Sequence, residues 1–228
     1  MKSPFPEDVA FVLRERVAGD DEAAGGALLP AERALLAPEA GPKRIADFAL
    51  GRACGREALR KAGAWSEGAP PPILRRERAP VWPPGYVGSL AHTHGVAAAV
   101  AAPATRYRGL GVDVEARGRD TTAVAARILR PEERAALGGL PHDWATLWFC
   151  VKESVYKALH PVTGVYLGFQ DARVHLLRNL PALAAAETGT LDWELLKACG
   201  AEFPVGTTGR AGWSAEGRWL VAGVWLEA

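Results

Sequence analysis

The chain has 228 residues and carries 27 Lys and Arg against 26 Asp and Glu, which leaves a formal net charge of +1. Such a balance argues against a general nucleic-acid binder, whose basic surface normally shows in the total charge. Hydrophobic residues make up 49% of the chain and charged residues 23%, a composition that excludes disordered and collagen-like proteins. The length fits one large domain or two small ones.

The charge is unevenly distributed along the chain. Residues 1–42 carry a net charge of −4, residues 43–110 carry +7, and residues 111–228 carry −2. A basic central region between acidic flanks is expected where a compact polyanion binds one part of the surface. A solvated arginine-rich face gives the same pattern, so charge alone leaves both interpretations open.

Targeting signals and disulfides are not indicated. Pro4 and Pro6 break the N-terminal segment, and no apolar stretch is long enough to cross a bilayer. Three cysteines, Cys54, Cys150 and Cys199, are odd in number and stand in apolar or helical contexts, which favours buried free thiols in a reducing compartment. We therefore expect a cytoplasmic protein.

The first element in chain order is a helix predicted over Lys43–Ala62, with Gly63 as its stop signal. Arg44, Arg52 and Arg56 are spaced at multiples of four and so lie along one stripe of this helix. The segment YVGSLAHTHGVAAAVAA places small and apolar residues on both sides of His-Thr-His-Gly, a pattern that predicts a β-hairpin.

A short strand is predicted over Gly109–Glu115, with apolar and acidic residues alternating between its faces. The remaining predictions are loops at 19–27 and 66–72, a short helix from Pro131, a helix capped by Asp143 and running to Leu159, and strands at Ala172–Leu177 and Arg218–Leu226. This order predicts an α+β fold of two halves, residues 1–108 and 109–228, without a demonstrable internal repeat.

Two carboxylates on the predicted strand, Asp113 and Glu115, lie on one face about 7 Å apart. Like charges at that separation are costly unless a cation intervenes, and an all-oxygen site without His or Cys favours Mg²⁺ or Mn²⁺. An exposed acidic pair is the alternative. Glu153 on the next long helix could face inward as a third ligand, or form an ordinary surface ion pair with Lys157 four residues on.

His92 and His94 invite a zinc interpretation, but no Cys or acid stands at ligand spacing. A single histidine beside Arg44 and Arg52 is better suited to donating a hydrogen bond to phosphate. The basic region thus contains the candidate phosphate ligands, and the region that follows contains the candidate metal ligands.

Four separated motifs converge on one family. The segments KRIADFALGRACGREAL, RERAPVWPPGYVGSLAH, GVDVE and WFCVKESVYKAL, in that order and spacing, resemble the Sfp-type 4′-phosphopantetheinyl transferases, in particular the branch of enterobactin synthase component D. The segment HPVTGVYLGFQDARV is similar to the same branch. The resemblance extends over roughly residues 40–177 and implies a pseudo-twofold monomer of two α+β halves, with coenzyme A and Mg²⁺ bound in the cleft between them.

The resemblance also implies roles for individual residues. Glu153 and Lys157 would be catalytic, with Glu153 accepting the proton of the carrier-protein serine or orienting the base. The metal ligands implied are Asp113, Glu115 and Glu153. The residues implied to contact coenzyme A are Arg44, Arg52, Arg75, Arg76, Arg78, Ala91, His92, Lys152 and Lys157.

Ala91 departs from the family pattern, which has Ser or Thr before the motif histidine, so only its backbone could contact the ligand. Cys150 replaces a commoner serine, and the segment 75–78 aligns only with a one-residue gap. The expected reaction transfers phosphopantetheine to acyl or peptidyl carrier proteins. A Mg²⁺-dependent phosphohydrolase acting on nucleotide-like substrates and a non-catalytic coenzyme A or carrier-binding module are the alternatives.

Overall fold

A computed structural model of the chain describes residues 1–16, 28–77, 79–138, 142–175 and 187–228. Helices and antiparallel strands are mixed along these ranges. The helices are α1 Pro30–Arg33, α2 Pro42–Lys61, α3 Thr122–Ile128, α4 Pro131–Leu137 and α5 His142–Thr163. The strands are β1 Ala10–Glu15, β2 Leu74–Arg76, β3 Ala79–Val81, β4 Tyr86–Thr93, β5 Val96–Pro103, β6 Tyr107–Ala116, β7 Ala172–His175, β8 Glu187–Leu195, β9 Thr208–Glu216 and β10 Trp219–Glu227.

The first sheet has the strand order β1-β5-β4, and α2 packs across it. Strand β5 is buried on both faces, which explains why it is apolar almost throughout. Its odd-numbered alanines from 97 to 101 pack beneath α2, whereas its even-numbered residues from 96 to 102 join a central cluster.

The predicted hairpin is confirmed as β4 and β5. Its turn residues His94 and Gly95 both have positive φ, as a tight two-residue hairpin turn requires.

The second sheet has the strand order β6-β10-β9-β8-β7, and α5 packs across β6 and β10. The apolar stripe of α5 meets this sheet in the largest hydrophobic cluster. The opposite faces of β6 and β10 contribute to the central cluster, where they meet the first sheet. A hydrogen bond from the Val112 amide to Ser89 Oγ, 3.1 Å long, also joins β6 to β4.

A buried glutamate anchors each long helix to its sheet region. Glu32 of α1 accepts hydrogen bonds from the Leu29 and Ile73 amides, each 3.1 Å long, and pairs with Arg56 of α2. Glu133 of α4 accepts hydrogen bonds from the Arg130 and Val174 amides, each 2.8 Å long, and pairs with Lys152 of α5 at 2.6 Å. Both glutamates occupy the third position of a short helix that begins with proline.

The N-terminal segment crosses to the second sheet. The Phe5 ring packs against Trp225 with ring centroids 6.2 Å apart, and it covers Gly223, where a Cβ would overlap the ring. The Met1 amino group lies 2.9 Å from Glu216 Oε2. The first residues of the chain therefore stabilise the sheet formed by its last strands.

Most motif-bearing elements agree with their predictions. The helix expected at Lys43–Ala62 is α2, the strand expected at Gly109–Glu115 lies within β6, and the short helix at Pro131 is α4. Strands at Ala172–Leu177 and Arg218–Leu226 correspond to β7 and β10, although residues 176–177 and the loop at 19–27 lie outside the described residues. The elements that were not predicted are strands β1, β2, β3, β8 and β9 and helices α1 and α3.

The start and the end of α5 differ from the prediction. The helix extends to Thr163 rather than Leu159. Asp143 does not act as its N-cap, because the helix already includes His142. The Asp143 carboxylate instead accepts hydrogen bonds from Arg117 Nε at 2.9 Å and from the Gly118 amide at 2.6 Å, and so attaches the end of β6 to α5.

The prediction of free, buried thiols is confirmed for all three cysteines. Among the described segments, no helix combines the length and the apolar composition that crossing a bilayer requires.

Candidate functional site

A cationic cavity of about 420 Å³ lies between α2 and the β2–β3 hairpin. Four predicted phosphate ligands line it: Arg44, Arg52, Arg75 and His92. Arg44 and Arg52 line the same cavity because they are eight residues apart on α2, which is close to two full helical turns. Gly51 of α2 lies next to the His92 ring, which would be 3.9 Å from a Cβ at that position, an ordinary contact distance.

Arg52 is the most deeply buried cation of this cavity, with 6% of its surface exposed. Its guanidinium stacks over the Phe48 ring at 4.3 Å, and its buried Nε has no hydrogen-bond partner. Burial lowers the pKa of Arg52 to about 10; the nearby cations Arg75, Arg56 and Arg44 add to this effect, and Glu32 opposes it. A guanidinium that is buried among other cations with an unsatisfied donor is suited to receiving an anion.

His92 faces the cavity from β4. Burial lowers the pKa of its imidazole, and Arg44, Lys157 and Arg52 lower it further, whereas Asp47 acts in the opposite direction. Near neutral pH the ring is therefore uncharged and offers one N–H donor. His94 lies two residues further on, in the hairpin turn.

The other predicted coenzyme A contacts have different surroundings. Ala91 packs its side chain into the central hydrophobic cluster, so only its backbone is available to a ligand. Arg76 is exposed in β2 and is absent from the cavity lining. The position of Arg78 lies outside the described residues.

The predicted catalytic and metal-binding residues cluster where β6 meets α5. Lys157 Nζ donates a hydrogen bond of 2.7 Å to Asp113 Oδ1 and one of 3.1 Å to the Val112 carbonyl. The second carboxylate oxygen of Asp113 is buried without a hydrogen-bond partner. Burial acts to lower the pKa of Lys157, but Asp113 and Glu153 outweigh it and the pKa is raised. Lys157 therefore remains charged.

Glu115 and Glu153 are both held in unfavourable surroundings for a carboxylate. Burial raises the pKa of Glu115, and the charge of Asp113 raises it further, against the opposing Arg119. Burial also raises the pKa of Glu153, and Asp113 and Glu115 add to this, whereas Lys157 opposes them. Asp113 thus destabilises the charged forms of both glutamates. Over the described ranges, however, no three His, Cys, Asp or Glu side chains are already arranged to hold a metal ion.

Lys152 does not join this cluster, and the surroundings of its ammonium group do not support the predicted contact with coenzyme A. Its ammonium group is buried and donates to Glu133 Oε2 at 2.6 Å and to the carbonyl oxygens of Phe169 and Ile128 at 2.9 and 3.0 Å. These three acceptors use all three donors of the ammonium group. Burial lowers the pKa of Lys152, while Glu133 opposes the shift. In this structure Lys152 attaches α5 to α4 through Glu133.

A second cavity of about 250 Å³ lies between β4 and α5 and was not anticipated from the sequence. Lys157 and Ser89 line its polar side, and Tyr156 and Trp82 contribute to its apolar walls. It shares Pro80 and Leu90 with the cationic cavity. The two cavities are therefore neighbours, and Lys157, which pairs with Asp113, lies on the wall of the second.

Arg119 is a further charged residue at the carboxylate cluster that sequence reasoning missed. Its Nη1 lies 3.2 Å from Glu115 Oε2, and its guanidinium lies 5.8 Å from the centre of the Phe149 ring. The i,i+4 spacing of Glu115 and Arg119 is a helix signal, but Glu115 lies in β6 and Arg119 follows that strand, so the spacing did not reveal the contact.

Two family models match this chain. Residues 31–102 match a model described as the 4′-phosphopantetheinyl transferase N-terminal domain, and residues 109–207 match one described as the 4′-phosphopantetheinyl transferase superfamily. The boundary between the two matches falls between the first and the second sheet.

Curated relatives agree with these matches. The chain is 37% identical over 201 residues to the 4′-phosphopantetheinyl transferase Npt of Nocardia iowensis, covering 85% of this chain and 84% of that protein. It is 40% identical over 153 residues to the 4′-phosphopantetheinyl transferase Svp of Streptomyces mobaraensis, covering 64% of this chain and 60% of the relative. Enterobactin synthase component D of Salmonella typhi is 35% identical over 169 residues, or 68% of each chain.

Proposed function

Since this chain belongs to the 4′-phosphopantetheinyl transferase family, we propose that it transfers the 4′-phosphopantetheine arm of coenzyme A to a serine of an acyl or peptidyl carrier protein. The observation that carries this proposal is that the cationic cavity adjoins a second cavity lined by Lys157, which pairs with Asp113 of the carboxylate cluster. Coenzyme A combines a 3′-phosphate, a nucleoside, a diphosphate and an apolar-to-polar arm, and neighbouring sites of this composition suit it.

Recognition of the 3′-phosphate is assigned to the cationic cavity. Arg44 and Arg52 approach from α2, His92 donates from β4, and Arg75 approaches from the hairpin. Arginine can bind phosphate through two parallel hydrogen bonds, and a neutral histidine adds a directional donor. The unsatisfied Nε of Arg52 supports this assignment.

The carboxylates fit a hard divalent cation such as Mg²⁺ or Mn²⁺. Asp113, Glu115 and Glu153 supply oxygen ligands, and the orphaned Asp113 Oδ2 lies buried among like charges that a cation would offset. Mg²⁺ commonly takes one or two protein carboxylates and fills its remaining positions with water and substrate phosphates, so a preformed set of three is not required. When bound, the ion would neutralise charge on the diphosphate of coenzyme A.

The residues of the chain then divide the chemistry between them. The serine Oγ attacks the phosphorus that bears the pantetheine arm, and the bond from that phosphorus to the bridging oxygen breaks, releasing 3′,5′-ADP. Lys157 offers positive charge to the diphosphate, and Glu153, whose pKa is raised, accepts the serine proton directly or through a water molecule. Positioning both substrates in one site supplies much of the remaining acceleration.

A pseudo-twofold relation between residues 1–108 and 109–228 is also part of the proposal, with the substrate bound between the halves. The paired glutamate anchors, Glu32 with Arg56 and Glu133 with Lys152, support it, because each links a proline-initiated helix to the following long helix and to a later backbone amide. A cytoplasmic monomer stays a prediction. The relatives carry transferase and synthase names, so the phosphohydrolase alternative gains no support.

The direct test combines the purified protein with an apo carrier protein, coenzyme A and Mg²⁺, followed by intact-mass measurement of the carrier. We expect a mass gain of one phosphopantetheine group, dependent on all three components. The control replaces the target serine of the carrier with alanine. Failure to modify any acyl or peptidyl carrier, with release of 3′,5′-ADP in the absence of carrier, would overturn the transferase in favour of a hydrolase.

A further inference from the structure

The two acids of β6 each face a cation of their own. Asp113 Oδ1 accepts the 2.7 Å hydrogen bond from Lys157, and Glu115 Oε2 lies 3.2 Å from Arg119 Nη1. Lys157 has an assigned partner in the proposed reaction, the diphosphate. Arg119 has none, although it contacts a residue proposed to bind the metal.

The contact between Arg119 and Glu115 is an ion pair between a buried carboxylate and a nearby guanidinium. It opposes the rise that burial and Asp113 cause in the pKa of Glu115. The Arg119 side chain is 44% exposed, whereas that of Glu115 is 11% exposed. The cation is therefore the solvent-accessible partner of the pair, and the carboxylate is carried by strand β6.

Phe149 gives the Arg119 side chain a second favourable surface. The guanidinium lies 5.8 Å from the ring centre, within the range of a cation–π interaction. Arg119 can withdraw from Glu115 toward this ring without losing all its favourable contacts. Phe149 also lies on α5 only four residues before Glu153, so the withdrawn side chain would remain next to the site.

We propose that Arg119 is a positioning residue that competes with the divalent cation for Glu115. Arg119 neutralises Glu115 across the 3.2 Å contact, and a divalent ion that binds Glu115 would take its place. A divalent ion and a guanidinium repel each other, so each weakens the binding of the other to the same carboxylate. This inference rests on the proposed metal site.

The test measures Mn²⁺ binding to the full chain without coenzyme A, by electron paramagnetic resonance of the free ion. We expect the Arg119→Gln variant to bind Mn²⁺ about fivefold more tightly than wild type, as removal of one competing ion pair predicts. Arg117→Gln is the matched control: it removes the same charge two residues away, but Arg117 pairs with Asp143 at the end of β6. Its affinity should change by less than about twofold.

A second measurement separates competition from loss of structure. The melting temperature of metal-free Arg119→Gln should fall, because Glu115 loses its neutralising partner, and saturating Mn²⁺ should raise it more than in wild type. Arg119→Lys, which retains the charge, should behave more like wild type in both measurements.

The outcomes distinguish this inference from the proposed function. If wild type binds Mn²⁺ and Arg119→Gln binds it equally or more weakly, or if Arg117→Gln tightens binding as much, the competition is overturned and the metal site stands. If neither wild type nor any variant binds Mn²⁺, with or without coenzyme A, the metal assignment fails and the competition fails with it.

Discussion

The two long helices carry related sequences but have different partners. In α2 the segment CGREALRKA occupies residues 54–62, and in α5 the segment CVKESVYKA occupies residues 150–158. In both, the basic residue at the third position enters a buried glutamate anchor: Arg56 pairs with Glu32, and Lys152 pairs with Glu133. The shared pattern is therefore first of all a means of attaching a helix.

The difference lies in the strand that each helix faces. Glu57 of α2 pairs with Arg14 of β1 and lies 3.6 Å from Lys61, so its charge is satisfied at the surface. Glu153 of α5 occupies the matching position, but it is near Asp113 and Glu115 of β6 and so lies among acids. Similar helices thus form an ion pair in one half and a candidate catalytic centre in the other, because the opposing strand carries arginine in one case and aspartate in the other.

The most direct test of this difference between the helices is to neutralise the two matching glutamates, Glu153 and Glu57. Glu153→Gln should lower the rate of carrier modification by about 10³-fold, since it removes the proposed base and a metal ligand. Glu57→Gln should leave the rate within about twofold, because an exposed ion pair contributes little. Both rates are measured by intact mass at saturating coenzyme A. Comparable losses in the two variants would contradict the division of labour between the helices.

Removing the cation from each glutamate anchor tests the similarity between the two halves. Lys152→Met and Arg56→Met should each lower the free energy of unfolding by about 3–5 kcal/mol, because each leaves a buried glutamate without its cation. Urea denaturation followed by tryptophan fluorescence measures this loss. Adding Glu133→Gln to Lys152→Met should recover part of the stability.

Lys152→Met also tests the structural role assigned to that lysine. In native conditions the fraction that remains folded should bind coenzyme A as wild type does. A large increase in KM for coenzyme A, without a loss of stability, would indicate that Lys152 contacts the substrate.

A smaller effect is expected from the basic face of α2. Arg52→Ala should raise the KM for coenzyme A by about tenfold, consistent with the loss of a charge-assisted contact to phosphate, with less effect on kcat. Arg60→Ala is the matched control, because Arg60 is exposed near the end of the same helix and does not line the cavity. Equal changes in the two variants would indicate a general effect of charge rather than a specific contact.

The smallest expected signal comes from the matching cysteines. Burial raises the pKa of Cys54 to about 12, and burial together with Asp113 and Glu115 raises that of Cys150 well above its usual range. Both thiols therefore stay protonated at pH 8 and should not react with a disulfide reagent in the native protein, nor should buried Cys199, whose pKa is also raised. All three should react in urea, and rapid reaction of any of them in the native state would show that its helix or loop opens.

The sequence was informative where periodicity and chemistry coincide. Helix α2, the β4–β5 hairpin, β6 and α5 were predicted because their apolar spacing is regular and their polar residues are distinctive. Strands β8 and β9 were not predicted because they contain glycines, which usually indicate loops but here lie within strands. Gly189 and Gly209 lie beneath the indole rings of Trp213 and Trp193 on the neighbouring strand, where a Cβ would overlap them.

The surroundings of Lys152 and the similarity of α2 and α5 were not revealed by the sequence for one physical reason: both depend on contacts between residues that are far apart along the chain. The contact between Lys152 and Glu133 joins residues 19 positions apart, and no local pattern distinguishes a buried lysine from one that reaches a phosphate. The similarity of α2 and α5 was also missed, because only Cys, Glu, Lys and Ala recur between the two segments. Their equivalence emerges from the anchors, which depend on residues brought together by folding.

Two glycines in β6 bring this strand into direct backbone contact with α5 beside the proposed site. A Cβ at Gly111 would overlap the Ser154 carbonyl oxygen, and one at Gly109 would overlap that of Ala158. Strand and helix therefore touch backbone to backbone, immediately beside Asp113 on one side and Glu153 and Lys157 on the other. The separation of strand and helix is set by main-chain contact, so a variant that keeps both glycines should keep the spacing on which the proposed reaction depends.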